Sequence, residues 1–431
     1  MMLVFLMVLL IVLIFLGMEI AWAIGVACLA YLVLSHLTGD GVPFVLLSQQ
    51  MLDGIDTFSL IAIPLFIFAG ELMASSGVTE RLVRMAMAFI GHRTGGLANV
   101  SVATNFVLGG VSGSAIADAA ATGTITIPQM KKRGYPAPFA CAVVAASATV
   151  APIIPPSISF ILLAAIVNLS VGQLFLAGIV PGFLMTSAML LVTYAIARRH
   201  GYGVAPRAGW KERIESLVGA ALPLLAPLII LRAITAGIAT PTEAAAVLGL
   251  YILLLGTIAF RTLTVQAVVQ AAANAMLLSS IIMLTVGAAN MFSWLALYEE
   301  FGVILTNAFF VISENPYILL LVLNVLLLIL GTFMEPLTVM LLLGPIIFPF
   351  FTNLGIDPIH LGVVMVINLV LGLITPPVGI ILNVVALIGR TEVLDVFRAI
   401  RPYLFILIGV LLLVTYIPAI SLWLPRLLLP N

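Results

Sequence analysis

Two stretches that break a helix are embedded in runs whose composition excludes water. Gly110-Val-Ser-Gly-Ser-Ala-Ile-Ala-Asp118 and Pro152-Ile-Ile-Pro-Pro-Ser157 both interrupt long apolar segments. A chain that leaves the helix in hydrocarbon strands its N–H and C=O groups. Such backbone persists at membrane depth only where protein buries it or where it lines a wet cavity. Both stretches recur. Adding 221 to Gly110, Pro128, Gly134, Pro155, Pro156 and Pro181 lands on Gly331, Pro349, Gly355, Pro376, Pro377 and Pro402. Glycine and proline mark backbone geometry, so six identities at one offset describe two copies of one structural unit.

The environment follows from the apolar content. The chain is 63% hydrophobic and 8% charged, with mean hydropathy +1.30, which a water-facing surface of 431 residues does not tolerate. Its apolar runs are continuous and about 20 residues long, the span of a hydrocarbon core, rather than the short alternating segments of a barrel. A formal net charge of zero points to no nucleic acid or anionic surface as partner. Cys28 and Cys141 lie in apolar runs and read as small core residues. Met1 to Leu16 has the look of a signal segment, with Ala21-Trp22-Ala23 as a cleavage site. No Lys or Arg precedes it and Glu19 interrupts the junction, so it reads as the first span.

Apolar length and polar breaks place spans at 2–16, 19–37 and 57–76, an amphipathic piece at 78–92, and a segment 95–131 interrupted at Gly109 to Ser114. Its flanks, His92-Arg93 and Lys131-Lys132-Arg133, are both basic and so both cytoplasmic, which makes it a re-entrant hairpin. A span broken at Pro152 to Ser157 follows at 136–167, then 174–196. The basic stretch Arg198 to Arg213 reads as a cytoplasmic linker, 198–216. The second copy runs 217–235, 241–260 and 275–297, then the acidic Tyr298-Glu299-Glu300. A hairpin at 316–352 turns at Gly331-Thr-Phe-Met-Glu335, a broken span covers 358–388, and 402–422 closes the chain. The second hairpin's flanks (Glu314, Asn315, Asn353, Asp357) hold no Lys or Arg, so it enters from the outer face. Glu19 and Gly25 pair with Glu243 and Gly249 at an offset of 224. The expected fold is an all-α polytopic membrane protein of two inverted-topology repeats, 1–197 and 217–431. Each repeat holds about five transmembrane spans, a re-entrant helical hairpin and a broken helix, the pattern of a secondary transporter.

Five motifs carry a family resemblance. Gly-Val-Ser-Gly-Ser-Ala-Ile-Ala-Asp-Ala-Ala-Ala-Thr-Gly (110–123), Pro-Pro-Ser (155–157), Pro-Thr-Glu-Ala-Ala-Ala (241–246), Gly-Thr-Phe-Met-Glu-Pro (331–336) and Thr-Pro-Pro-Val-Gly (375–379) resemble the large membrane subunit of TRAP transporters, the tripartite ATP-independent periplasmic carriers. The resemblance covers essentially the whole chain. It implies an elevator-type carrier in a bacterial inner membrane, driven by sodium ions. It implies as partners a periplasmic substrate-binding protein that delivers a small organic acid anion, and a small four-helix membrane subunit. With no leading stretch for those four helices, the chain resembles the unfused form.

Sodium seeks several oxygen ligands, which unwound carbonyls and half-helix ends supply without a full charge in the bilayer. In the family's pattern these broken regions hold the ions. A first site is expected from Ser112, Gly113 and Ser114 facing carbonyls freed around Pro155 and Ser157, since prolines remove N–H donors. A second uses Gly331, Thr332 and Glu335 against Gly372 and Thr375. The plainer alternative is that these small residues only permit close helix packing. Asp118 and Glu335 are the acids expected within the bilayer, each with helix capping as its alternative. Asp118, Asn105, Pro156, Pro377 and Asn383 are candidate substrate contacts, with interhelical hydrogen bonding as the alternative for the asparagines. A carboxylate substrate would be met mainly by half-helix N-termini and bound sodium, because no Lys or Arg falls inside a span near either hairpin.

Three other readings compete. A sodium–dicarboxylate symporter of another two-hairpin family would share the architecture and work without a binding protein. A channel suits deep broken-helix sites less well than alternating access does. Gly110-Val-Ser-Gly113 also matches an intramembrane serine protease pattern, but His36, His92, His200 and His360 fall at span ends or in loops.

Overall fold

The structure, a computed structural model, describes residues 2–38, 41–202 and 205–429. Met1, residues 203 and 204 of the expected linker, and residues 430 and 431 ending the expected second repeat lie outside the described residues. The first half holds α1 (Met2–Phe15), α2 (Ile20–Thr38), α3 (Val45–Ile55), α4 (Ala62–Ser75, entered by a 3-10 turn at Phe58–Ile61), α5 (Val78–Ile90), α6 (Gly96–Ser112), α7 (Ala115–Lys132), α8 (Ala137–Ala148), α9 (Ile158–Val167) and α10 (Val171–His200). The second holds α11 (Trp210–Thr235), α12 (Pro241–Leu254), α13 (Val265–Tyr298), α14 (Phe301–Ile312), α15 (Pro316–Phe333), α16 (Pro336–Asn353), α17 (Pro358–Gly372), α18 (Ile380–Gly389), α19 (Val393–Tyr416) and α20 (Ala419–Leu428). No strand occurs among the described residues, and nine of their helical segments are long and apolar enough to cross a membrane.

The expected breaks are present. The first hairpin is α6–α7 with its turn at Gly113 and Ser114, and the second is α15–α16 with its turn at Met334 and Glu335. In both, the helix runs to within a residue or two of the turn, further than the glycine pattern suggested. The broken spans are α8–α9, interrupted over 149–157, and α17–α18, interrupted over 373–379. The Pro155–Pro156 and Pro376–Pro377 bonds are cis in both copies. Every residue from Phe139 to Ala148 and from Ile359 to Gly372 is buried, so α8 and α17 are covered on every face and form the centre of the molecule. Each hairpin packs on its own copy's central helix and also crosses over: α7 lies on α18, and α16 on α9. A second group, α2, α3, α4, α12 and α13, packs mutually beside them.

Four local outcomes differ from expectation. Helices α3, α14 and α20 are additional, and all three are too short to register as spans. The closing segment begins at Val393, stops at Tyr416 and resumes as α20. Pro418 has no N–H to continue the ladder and pushes Ile417 out of the helical region (φ −121°). Helix α13 starts ten residues before the expected 275, because Thr264 accepts a bond from the Ala267 N–H and caps it there. Its early polar face, Gln266, Gln270 and Asn274, hid this start from an apolar count. Helix α11 likewise begins inside the basic linker: Lys211, Glu212 and Arg213 are good helix formers as well as charges. Both cysteines are buried and unpaired, and the Cys141 thiol donates to the Val385 carbonyl at 3.1 Å.

Candidate functional site

The first hairpin tip is built from its own backbone demands. Gly113 takes a left-handed conformation (φ +61°), which a residue without Cβ adopts freely. A Cβ there would stand 3.1 Å from both the Pro156 carbonyl oxygen and the Ile158 nitrogen, so this tip lies directly against the break in α8–α9. Ser114 is extended and caps α7, its hydroxyl accepting from the Ala117 N–H at 3.4 Å. The Ser112 hydroxyl accepts from the Ser114 N–H at 3.3 Å.

The second tip is closed by packing. At Gly372 an added Cβ would meet the Gly331 carbonyl carbon at 2.2 Å, so the ends of α15 and α17 touch backbone to backbone. Met334 and Glu335 are extended, Pro336 starts α16, and Glu335 holds the cap position without a side-chain capping bond.

Both tips open on one cavity of about 370 Å³. Ser112, Gly113 and Ser114 line it from one side and Glu335 from the other, with Pro152, Ile158 and Ser159 of the first break and Val370 and Leu373 from the end of α17 and the break after it. Gly70, Glu71 and Ala74 of α4 and Leu278 and Ile282 of α13 complete the wall. Among the described residues, no Lys or Arg lines it.

The remaining expected residues sit elsewhere. Ser157 caps α9, accepting from the Phe160 N–H at 3.2 Å, and its hydroxyl donates to the Pro152 carbonyl at 2.5 Å, so that carbonyl is not left free. Pro155 and Pro156 lie behind the first tip, with the Pro155 oxygen against Gly110. The Thr332 hydroxyl donates to Ile329 O at 2.7 Å and that of Thr375 to Leu371 O at 2.8 Å, each within its own helix end. Pro377 falls in the α17–α18 break, outside the cavity wall. Asn105 donates to the Ser147 hydroxyl at 2.7 Å, tying α6 to α8. In the second half Asn368 stands where Ser147 does in the first, and its amide donates to the Asn324 side chain at 2.7 Å, tying α17 to α15. Asn383 turns back onto Val378 O at 2.8 Å. Asp118 does not cap α7, since Ser114 occupies that position. It is 1% exposed, one turn into the helix with the Ser112 side chain beside it, and its Oδ2 has no hydrogen-bond partner among the described residues.

Glu71 and Ser159 were missed. Glu71 carried a signal, an acid inside an apolar run, and such residues rarely lack a role. Its Oε2 accepts from the Asn274 amide at 3.0 Å, and Asn274 Oδ1 accepts from Gln270 at 2.9 Å, so α13's early polar face meets it. Ser159 is one hydroxyl among many in apolar surroundings, and only its place beside the first tip distinguishes it.

The family model described as "Tripartite ATP-independent periplasmic transporter, DctM component" matches residues 7–420. The chain belongs to this family. It is 40% identical to the sialic acid TRAP transporter large permease protein SiaM of Vibrio cholerae, over 97% of each chain. It is 38% identical to the C4-dicarboxylate TRAP transporter large permease protein DctM of Pseudomonas aeruginosa, over 88% of this chain and 89% of that one. The sialic acid TRAP transporter permease protein SiaT of Haemophilus influenzae is 32% identical, over 97% of this chain and 67% of its own length. Among solved structures, the Alcanivorax borkumensis YdaH transporter superposes with a TM-score of 0.61 at 17% identity, covering 89% of each chain, which is a likeness of fold. As a TRAP large permease the chain is a multi-pass protein of the bacterial inner membrane and a transporter subunit, not an enzyme. The other-family symporter and the protease are thereby set aside.

Proposed function

We propose that this permease imports a small organic carboxylate, coupled to sodium, by an elevator movement of its hairpins and broken helices. A periplasmic binding protein delivers the acid, and a small four-helix membrane subunit braces the scaffold. In this reading the repeats, 1–197 and 217–431, are inverted, and the moving body comprises α6–α9 and α15–α18. One ion is held by Ser112, Ser114 and the Gly113 carbonyl against the break before Ile158. The other lies at the Gly331–Gly372 crossing, beside Thr332, Thr375 and Glu335.

The observation that carries the reading is the meeting of both hairpin tips in one cavity walled by α4 and α13. The α4 residues of that wall lie toward the end of α4 that Arg81 and Arg84 follow, and its α13 residues, Leu278 and Ile282, lie at mid-helix, with Arg261 preceding α13. The opposite ends of the two helices carry Asp53, Asp56, Glu299 and Glu300. With the positive-inside bias, this supports a cavity between mid-bilayer and the cytoplasmic side. A separate cavity of about 250 Å³, lined by Asp53 of α3 and by Asn290 and Trp294 of α13, lies toward the acidic end of α13. Sites accessible in turn from two sides suit alternating access.

The test is uptake of a radiolabelled acid into proteoliposomes containing the permease and both partners, driven by an inward sodium gradient. Replacing sodium with choline is expected to abolish accumulation, and undiminished uptake in choline would reject the coupling.

A further inference from the structure

Away from the hairpin tips, a second cavity lies at the base of the first hairpin. The Ala205 N–H donates to the Gly91 carbonyl at 3.0 Å, which lays the chain before α11 across the entry to α6. Here a cavity of about 330 Å³ is lined by Leu97, Lys132 and Arg133 from the two ends of the hairpin and by Pro206, Ala208 and Glu212 from the approach to α11. We infer that this cavity binds the headgroup of an anionic phospholipid of the inner leaflet.

The site gathers more positive charge than the protein neutralises. Lys132 and Arg133 stand on the wall against one carboxylate, that of Glu212. Beside them, desolvation and then the positive charges of Arg213, Arg207 and Arg93 push the His92 imidazole below its ordinary pKa, which marks four basic groups drawn together. The ion pairs among the described residues are Arg398–Asp395 and Arg426–Asp357, so Lys132, Arg207 and Arg213 belong to none. Two nitrogens of the cluster, His92 Nδ1 and Arg213 Nε, are buried without a hydrogen-bond partner. A phosphodiester relieves the like-charge crowding and supplies acceptor oxygens to guanidinium and ammonium groups.

The surroundings select a lipid over a soluble phosphate. The hairpin's basic flanks face the cytoplasm, where anionic headgroups meet Lys and Arg beside a span. Trp210, 76% exposed, opens α11 as interfacial tryptophans do, and Ile214 and Leu217 extend from it as an exposed apolar stripe. At about 100° per residue, Arg213 falls between Glu212 on the wall and this stripe. Its guanidinium lies 5.5 Å from the Trp210 ring centroid and 5.9 Å from that of Phe89, which holds it at the lip of the cavity. A headgroup between Lys132 and Arg213 can therefore lay its acyl chains along Ile214 and Leu217.

The test uses the permease purified in its membrane complex, in nanodiscs of phosphatidylcholine with and without phosphatidylglycerol. Phosphatidylglycerol is expected to raise the Tm by roughly 2–4 °C. Native mass spectrometry is expected to show a retained phosphatidylglycerol. Lys132→Gln combined with Arg213→Gln should lose both the shift and that lipid while keeping its Tm in phosphatidylcholine. Arg198→Gln combined with Arg199→Gln, exposed basic residues outside the wall, should keep both. An equal loss in the two double variants would mean diffuse attraction to the basic face and would overturn the site, as would a shift that survives in the first. No shift and no retained phosphatidylglycerol in the wild type overturns it however the variants fold. Glycerol 3-phosphate raising the Tm in phosphatidylcholine as much as the lipid does would overturn the lipid assignment.

Discussion

The two hairpin tips occupy equivalent places in the chain and are built on opposite principles. The first consumes its own polar groups: Ser112 and Ser114 bond to nearby backbone, and Gly113 folds left-handed against the facing break. The second has no side-chain cap on the helix that follows its turn. Its ends are held by the Gly331–Gly372 backbone contact, and Glu335 faces the cavity with no capping bond. A closure made by hydrogen bonds leaves hydroxyl oxygens as the groups on offer, whereas a closure made by packing can leave a whole carboxyl group free. The break recurs in both halves of the chain; the chemistry exposed at each break differs.

The comparison is tested most severely at the second tip's packing. Gly372→Ala would drive a methyl group into the backbone of α15, and about 3 kcal/mol of destabilisation is expected, read as a lowered Tm of the purified protein. An unchanged Tm would show that packing does not close this tip. Next is Glu335→Gln, which should leave Tm nearly intact while lowering sodium-driven uptake about 10- to 100-fold, as loss of a charged ligand does. Wild-type uptake by this variant would remove the distinction between the tips. At the first tip, Gly113→Ala places a side chain in the left-handed region 3.1 Å from the Pro156 oxygen. A cost of about 1–2 kcal/mol is expected in thermal unfolding. The smallest effect is that of Ser114→Ala, which removes the cap of α7 and about 1 kcal/mol of stability, with Ser114→Asn restoring most of it. If Asn restores stability but not sodium dependence, the hydroxyl has a role beyond the cap.

Much of the architecture was legible because its causes are local. Proline lacks an N–H, glycine tolerates left-handed backbone, and a span needs a certain apolar length, so both hairpins and both broken helices can be placed within a few residues from composition alone. The failures are also local in origin. Thr264 starts α13 early under a polar face, and Pro418 separates α20 from α19 in a run of unbroken hydropathy. Helix α5 shows the pattern working: Val78, Leu82, Val83 and Ala86 are buried at helical spacing while Arg81 and Arg84 are not.

Which polar groups face the cavity was decided only by the tertiary structure. Ser112, Ser114, Ser157, Thr332 and Thr375 are alike in sequence as hydroxyls beside a break. Ser112 and Ser114 line the cavity, while the other three are turned onto carbonyls of their own segments. Glu71 enters the wall because α13, some 200 residues later in the chain, packs on α4 and supplies Asn274. By itself the sequence determined where the backbone must leave the helix, since glycine and proline act within a few bonds. What stands opposite each break depends on helices packed from the far half of the chain, and no local pattern encodes that meeting.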